Sequence, residues 1–257
     1  MSGEATGRPA WLLALGRRRP AGELRVDGRD LRLEQVYKHD FFAHTARYGD
    51  ERGAVLVKRA RRGLALGWLG RVVTWHEARI YRRLAGLDGI PRLLASPAPG
   101  VLLHEHLAGR ALAWGERTPD GFLERLEELV ARVHARDVAI VDLEKPGNVL
   151  LGDDGSPALF DFQLAWYWPR NLGGGLAPAR WLLAEMQRGD RYHLGKLRRR
   201  LRPDTLSSDQ IAASRRRPGL VGLATRLFDP VRRLRRRFLR RVEPDHDAPG
   251  ERGRIAR

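Results

Sequence analysis

The stretch HARDVAIVDLEKPGNVLL, residues 134–151, holds two aspartates that each invite reading as the key acid of a catalytic loop. Asp137 closes the tetrapeptide His134-Ala135-Arg136-Asp137, whereas Asp142 is followed six residues later by Asn148. The flanks give each a setting. Upstream, DGFLERLEELVARVHAR (120–136) repeats apolar residues at 122, 123, 126, 129, 130 and 133, a helical spacing with Asp120 as its expected cap. Downstream, NVLLGDDGSPALFDF (148–162) sets two short apolar runs around Asp153-Asp154-Gly155, a hairpin signal. Joining 148–152 to 157–161 brings Asn148 and Asp161 to one end of a small sheet. An amide oxygen and a carboxylate there suit Mg²⁺, a hard cation that completes its shell with phosphate oxygens. Asp142, on the loop feeding the hairpin, adds a carboxylate able to accept a hydrogen bond from a substrate hydroxyl.

Farther out, LRLEQVYKH, TARYG and AVLVKRA read as strands between residues 31 and 60, with a Gly-Asp-Glu-Arg-Gly turn before the last. TWHEARIYRRLAGL (74–87) has helical spacing and is stopped by Gly89 and Pro91. GVLLHEHLAG (100–109) reads as a strand ending at a glycine, and beyond residue 165 the pattern turns helical and basic.

Asp142, Asn148 and Asp161-Phe162 resemble the catalytic loop and metal-binding motif of protein-kinase-like phosphotransferases. Earlier segments agree. Lys58 in AVLVK resembles the lysine on the third strand of a kinase small lobe, and Glu77 resembles the helical glutamate that pairs with it. VLLHEHLAGRAL resembles the hinge, where Glu105 to Leu107 offer backbone groups to adenine. The flavour of VDLEKPGNVLL…FDFQ is most similar to bacterial lipopolysaccharide kinases and RIO-like serine/threonine kinases. The resemblance covers roughly residues 36–165 and implies an α+β, two-lobed fold: a β-rich N-lobe over 31–104 and a helical C-lobe over 105–212. A leader (1–30) and a basic helical extension (213–257) flank them.

In such folds a helix-ending histidine precedes a turn and a short strand leading to the catalytic aspartate. His134 fits the helix end and Asp137 the turn, so the resemblance selects Asp142. It implies ATP with Mg²⁺ as cofactors, Lys58 and Glu77 at the nucleotide phosphates, Asn148 and Asp161 on the metal and Asp142 as base. Either Lys145 or Glu144 takes the place of the lysine that touches the transferred phosphate. Several features depart from the pattern: Ile140-Val141 replace the usual His-Arg, Gln163 replaces a glycine, KHDFFAHTARYGD lacks Gly-x-Gly, and no Ala-Pro-Glu follows. The implied function is transfer of phosphate to a hydroxyl of a membrane glycolipid or a protein Ser/Thr; the alternative is a nucleotide-binding pseudokinase.

Composition sets limits. With 42% hydrophobic and 31% charged residues the 257-residue chain reads as globular rather than disordered. No apolar run reaches the ~20 residues of a spanning helix, and AWLLALG, preceded by Glu4 and followed by arginines, has the wrong order for a secretory signal. Zero cysteines exclude disulfides and thiolate metal sites and fit a cytoplasmic location. The sequence HEARI is not His-Glu-x-x-His, and no Gly-x-Ser-x-Gly occurs. AWYWP (165–169) reads as aromatic core behind the metal loop, or as an interfacial anchor.

The net charge is +17, and residues 191–257 carry 20 Lys+Arg against 7 Asp+Glu. Within them, DPVRRLRRRFLRRV (229–242) places Val231, Leu234, Phe238 and Val242 on one helical stripe among arginines. That pattern suits an anionic membrane surface, peripheral on the inner face. A nucleic-acid partner rests on charge alone.

Overall fold

Side-chain alternation shapes the first third of the chain. The computed structural model describes residues 20–26, 28–39, 43–60, 67–169 and 173–214. Six antiparallel strands, β1 (Glu23–Val26), β2 (Arg29–His39), β3 (Ala43–Asp50), β4 (Gly53–Ala60), β5 (Leu93–Ala95) and β6 (Val101–Glu105), form one sheet in the order β1-β2-β3-β4-β6-β5. Strand β1 lies inside the stretch read as a leader: Leu24 pairs with Leu31 across the turn at Gly28, and Val26 is buried. Its four residues are too few to show a period in sequence.

Along β4, Val55 and Val57 enter a core with Tyr48, Val101 and Leu103, so Lys58 points to the opposite face, where it pairs in register with Leu102. Helix α1 (Gly67–Arg83) covers that second face with Glu77, Ala78, Ile80 and Tyr81. It starts seven residues before the periodic stretch, because Gly67 and Gly70 weaken the helical signal there.

The second lobe is mostly helical. Helix α2 (Phe122–Ala135) buries Phe122, Leu123, Leu126, Leu129, Val130 and Val133, the stripe expected from sequence. Its cap is Gly121, left-handed at φ 73°, and not Asp120, whose carboxylate is drawn 2.7 Å from Arg202. Strands β7 (Gly109–Ala111), β8 (Val149–Gly152) and β9 (Pro157–Leu159) make a small sheet in that order. The hairpin is shorter than expected, since Asn148 closes a 3-10 turn and Asp161 is left-handed. Helices α3 (Ala177–Leu201) and α4 (Ser208–Ala213) follow. One core joins Ile80 and Tyr81 of α1, and Leu84 just after it, to the α2 stripe, Val149, Leu159, Phe162 and Leu194. The DPVRRLRRRFLRRV segment lies outside the described residues.

Candidate functional site

Lys58 sits between two carboxylates. Its Nζ lies 3.0 Å from Glu77 Oε1, 2.8 Å from Glu77 Oε2 and 2.8 Å from Asp161 Oδ1. Lys58 is 5% exposed and Glu77 1%, so neither charge is tolerable without the other. Burial pulls the Lys58 pKa down; the Glu77 and Asp161 carboxylates outweigh it and leave the ammonium above its ordinary value. Strand alternation aims Lys58, the buried face of α1 aims Glu77, and a left-handed backbone at φ 63° and ψ 63° turns Asp161 off the hairpin toward them. Phe160 N–H reaches the Asn148 carbonyl at 3.4 Å, which keeps Asn148 at the same end of the hairpin.

A second cluster surrounds Asp142. Asn148 Nδ2 donates to the Asp142 carbonyl at 2.9 Å and to its Oδ2 at 3.2 Å, and Lys145 Nζ donates to Oδ2 at 2.6 Å. Glu144 turns the other way to pair with Lys196 on α3. Lys145, not Glu144, therefore shares the space in front of Asp142.

The loop itself hangs on a residue that sequence reasoning missed. Asp190 of α3 is 0% exposed and accepts from Ile140 N–H at 2.7 Å, Val141 N–H at 2.8 Å and His134 Nε2 at 3.0 Å. Val141, directly before Asp142, is held at φ 68°, an uncommon conformation for a β-branched residue. The signal was present: Leu183, Asp190, Leu194, Leu197 and Leu201 share one helical stripe, and a carboxylate on an apolar stripe needs buried donors.

Asp137 takes a structural part. It is left-handed at φ 57° in the turn after α2, with Arg83 Nη2 of α1 at 3.1 Å and Arg180 Nη1 at 4.0 Å. Arg136 Nη1 returns the tie by donating to the Arg83 carbonyl at 3.1 Å.

Residues 106–108 link β6 to β7. Of the two residues expected to face adenine, Glu105 has its N–H spent on the Arg92 carbonyl at 2.9 Å, and its own carbonyl accepts from His104 Nδ1 at 2.9 Å. Leu107 is half-buried in the link itself. Behind the site, His104 stacks on Tyr81 at 5.2 Å and Tyr81 meets Phe162 edge-on at 5.3 Å, an aromatic column from sheet through α1 to the Asp161 turn. In AWYWP, Tyr167 packs on the core, and Trp168, 39% exposed, meets Trp166 edge-on at 5.8 Å.

The donors suit a hard cation. With Nδ2 of Asn148 committed to Asp142, its Oδ1 points away from that carboxylate, and Asp161 offers carboxylate oxygen at the same end of the hairpin. Among the described residues no group of three or more His, Cys, Asp or Glu side chains is set to hold a metal. One carboxylate and one amide oxygen match Mg²⁺, which keeps most of its shell for phosphates and water.

No protein-family model and no curated protein matches the chain. Solved structures do. The Rio2 kinase–ADP/Mg²⁺–phosphoaspartate complex from Chaetomium thermophilum aligns with TM-score 0.51 and 14% identity over 68% of this chain and 58% of that one. A second Rio2 kinase structure from the same organism aligns with TM-score 0.50 and 15% identity over 68% and 60%. The chain thus spans about three-fifths of the Rio2 chains it matches. At such identity the likeness is one of fold, and it agrees with the strand order, the Lys58–Glu77 pair and the hairpin: this chain has a two-lobed protein-kinase-like fold.

Proposed function

We propose that the chain is an ATP- and Mg²⁺-dependent phosphotransferase acting on a hydroxyl, with the sugar of an anionic membrane glycolipid as the favoured acceptor and protein Ser/Thr as the other. The observation that carries this reading is Lys58 bridging Glu77 and Asp161 at 2.8 Å each, beside Asp142 joined to Asn148 and Lys145. Support for a small or lipid-borne acceptor comes from the short run from Asp161 to α3, which begins at Ala177, and from the lack of Ala-Pro-Glu in it. Little chain is left there to seat a peptide.

In this reading Lys58, fixed by Glu77, neutralises the α/β-phosphates. Asp161 and Asn148 would hold a hard cation, which would supply positive charge against the charge developing on the phosphates. Asp142 orients the acceptor hydroxyl and takes its proton as the new O–P bond forms and the bond to the leaving ADP breaks. Lys145 swings its ammonium from Asp142 toward the transferred group. Phosphoryl transfer asks mainly for position and charge, which these groups supply.

Gln163 in place of glycine, and the absence of Gly-x-Gly from KHDFFAHTARYGD, support the second reading, a nucleotide-binding pseudokinase. Transfer of labelled γ-phosphate from Mg-ATP, wild type beside Asp161→Ala, separates them. Membrane glycolipid and a protein mixture are offered as acceptors. Label only with wild type supports the enzyme and its fraction names the acceptor; no label, with ATP still raising the melting temperature, supports the pseudokinase.

A further inference from the structure

Helix α1 has an outward stripe that the described fold leaves open. Trp68, Val72 and Trp75 recur at i, i+4 and i+7 and are 64%, 49% and 54% exposed. Arg79 and Arg82 continue the stripe, with Arg71 exposed beside it. The Arg79 guanidinium lies 4.7 Å from the Trp75 ring centre, so charge and ring form one surface. The opposite side of the helix puts Thr74, Glu77, Ala78 and Tyr81 into the interior. Glu77 is the only acid of α1 and faces inward, which leaves the outer face cationic and apolar together.

A contiguous apolar face of this kind on a soluble fold marks a contact surface. Its chemistry narrows the occupant. The partner must supply apolar depth for two indoles and negative charge for the arginines. A second copy of this chain brings the same positive face and repels. Tryptophan belongs at the headgroup level of a bilayer, and arginine stems lie along apolar surface while their heads reach phosphate. No described helix is long and apolar enough to cross a membrane, so a lipid contact through α1 lies along the surface.

We propose that the outer face of α1, through Trp68, Val72, Trp75 and the neighbouring Arg71, Arg79 and Arg82, docks on an anionic lipid surface. The net charge of +17 steers the chain there. The proposal stands on exposure and charge and needs no phosphotransfer, so it survives or fails apart from the function proposed above. It also has a mechanical consequence: Glu77 is two residues from Trp75 on the same helix, so what fixes α1 fixes the carboxylate that holds Lys58.

The test uses the full chain and vesicles of phosphatidylcholine, alone or mixed with phosphatidylglycerol. Flotation of wild type with the mixed vesicles only is the expected result, with Trp68→Ser/Val72→Ser/Trp75→Ser lowering partitioning by at least about tenfold. Brominated acyl chains quench the wild-type indole emission, and Trp68→Phe/Trp75→Phe, which keeps the apolar face, removes that quenching while still floating. Several results overturn the proposal: equal flotation with neutral vesicles, a triple variant that floats like wild type, or quenching that persists without the two indoles. Two others do the same and name a different occupant. One is a wild type that ignores vesicles but binds an acidic amphipathic peptide; the other is a lipid-free dimer that the triple variant dissolves.

Discussion

In the phosphotransferase proposed above, replacing Asp190 with asparagine would separate placement of the Asp142 loop from binding of nucleotide. The two carboxylate oxygens take three donors, from Ile140, Val141 and His134, at 2.7, 2.8 and 3.0 Å. Asparagine keeps the shape but has one acceptor oxygen, and its amide nitrogen then faces a donor. A hydrogen bond to a charged group contributes about 1.5–3 kcal/mol, and a buried donor left unpaired costs about 1–3 kcal/mol. These overlap, so the loss is about 2–4 kcal/mol, or about 5–12 °C in Tm for a chain of this size. The effect on turnover comes through Val141. Its left-handed backbone at φ 68° carries about 1–3 kcal/mol of strain that the Asp190 bonds offset, and releasing it moves Asp142. A displacement of about 1 Å costs on the order of 10²-fold in rate. Asp190 touches none of Lys58, Glu77 and Asp161, so kcat falls by roughly 30–100-fold while KM for ATP stays within about twofold. Thermal unfolding and steady-state phosphate transfer read both quantities. An unchanged kcat, or a loss carried wholly by KM for ATP, refutes the reasoning.

Asp142→Asn lowers turnover by about 10²–10⁴-fold, the range for losing a general base. Asp137→Asn, which weakens the partly exposed pairs with Arg83 and Arg180, costs about 1 kcal/mol and leaves turnover within about twofold; the reverse ranking in one assay rejects the choice of Asp142. Glu77→Gln takes one of two carboxylate charges from Lys58, and the rise in Tm given by Mg-ATP shrinks accordingly; an undiminished rise shows that the Glu77 charge does not hold the lysine for nucleotide. Burial pushes His104 down from 6.5 to about 4, so below 6.5 the unfolded chain binds a proton that the folded one refuses. Stability from this group is full above pH 6.5 and drains away as pH falls toward about 4, a difference of about 3 kcal/mol. His104→Phe keeps a ring against Tyr81 and flattens that acid slope; an identical slope in wild type and variant discards the cause.

Local periodicity made most of the architecture readable. The alternation of AVLVK placed Lys58 opposite Val55 and Val57, and the stripe of 122–133 named the buried face of α2 correctly. What escaped the sequence depends on contacts between distant segments. Asp190 stands 50 residues from Ile140, and only the folded helix α3 puts its carboxylate under the loop. Asp120 looked like a cap because it precedes an apolar run, yet Arg202, 82 residues away, takes its carboxylate and Gly121 closes the helix. Lys196, 52 residues on, likewise draws Glu144 away from Asp142, while Lys145 donates to that carboxylate.

Charge at the site and charge of the chain run in opposite directions. Lys58 with Glu77 and Asp161 sums to one negative charge, and Asp142 with Lys145 to none, inside a chain of net +17. These residues do not by themselves attract a polyanionic nucleotide; they require a cation to admit it, which the Asn148–Asp161 end of the hairpin suits. The surplus of arginine lies elsewhere in the sequence, in α1 and across residues 191–257, and the lipid contact proposed above draws on it. Salt tells the two apart. Exposed charges are screened beyond about 8–10 Å at ordinary ionic strength, whereas Lys58 and Glu77, 5% and 1% exposed, are shielded from ions in solution. Lipid binding therefore weakens as salt rises while the affinity for Mg-ATP changes little. A parallel decline of both, followed by vesicle flotation and by ATP titration in the same buffers, contradicts this division of charge.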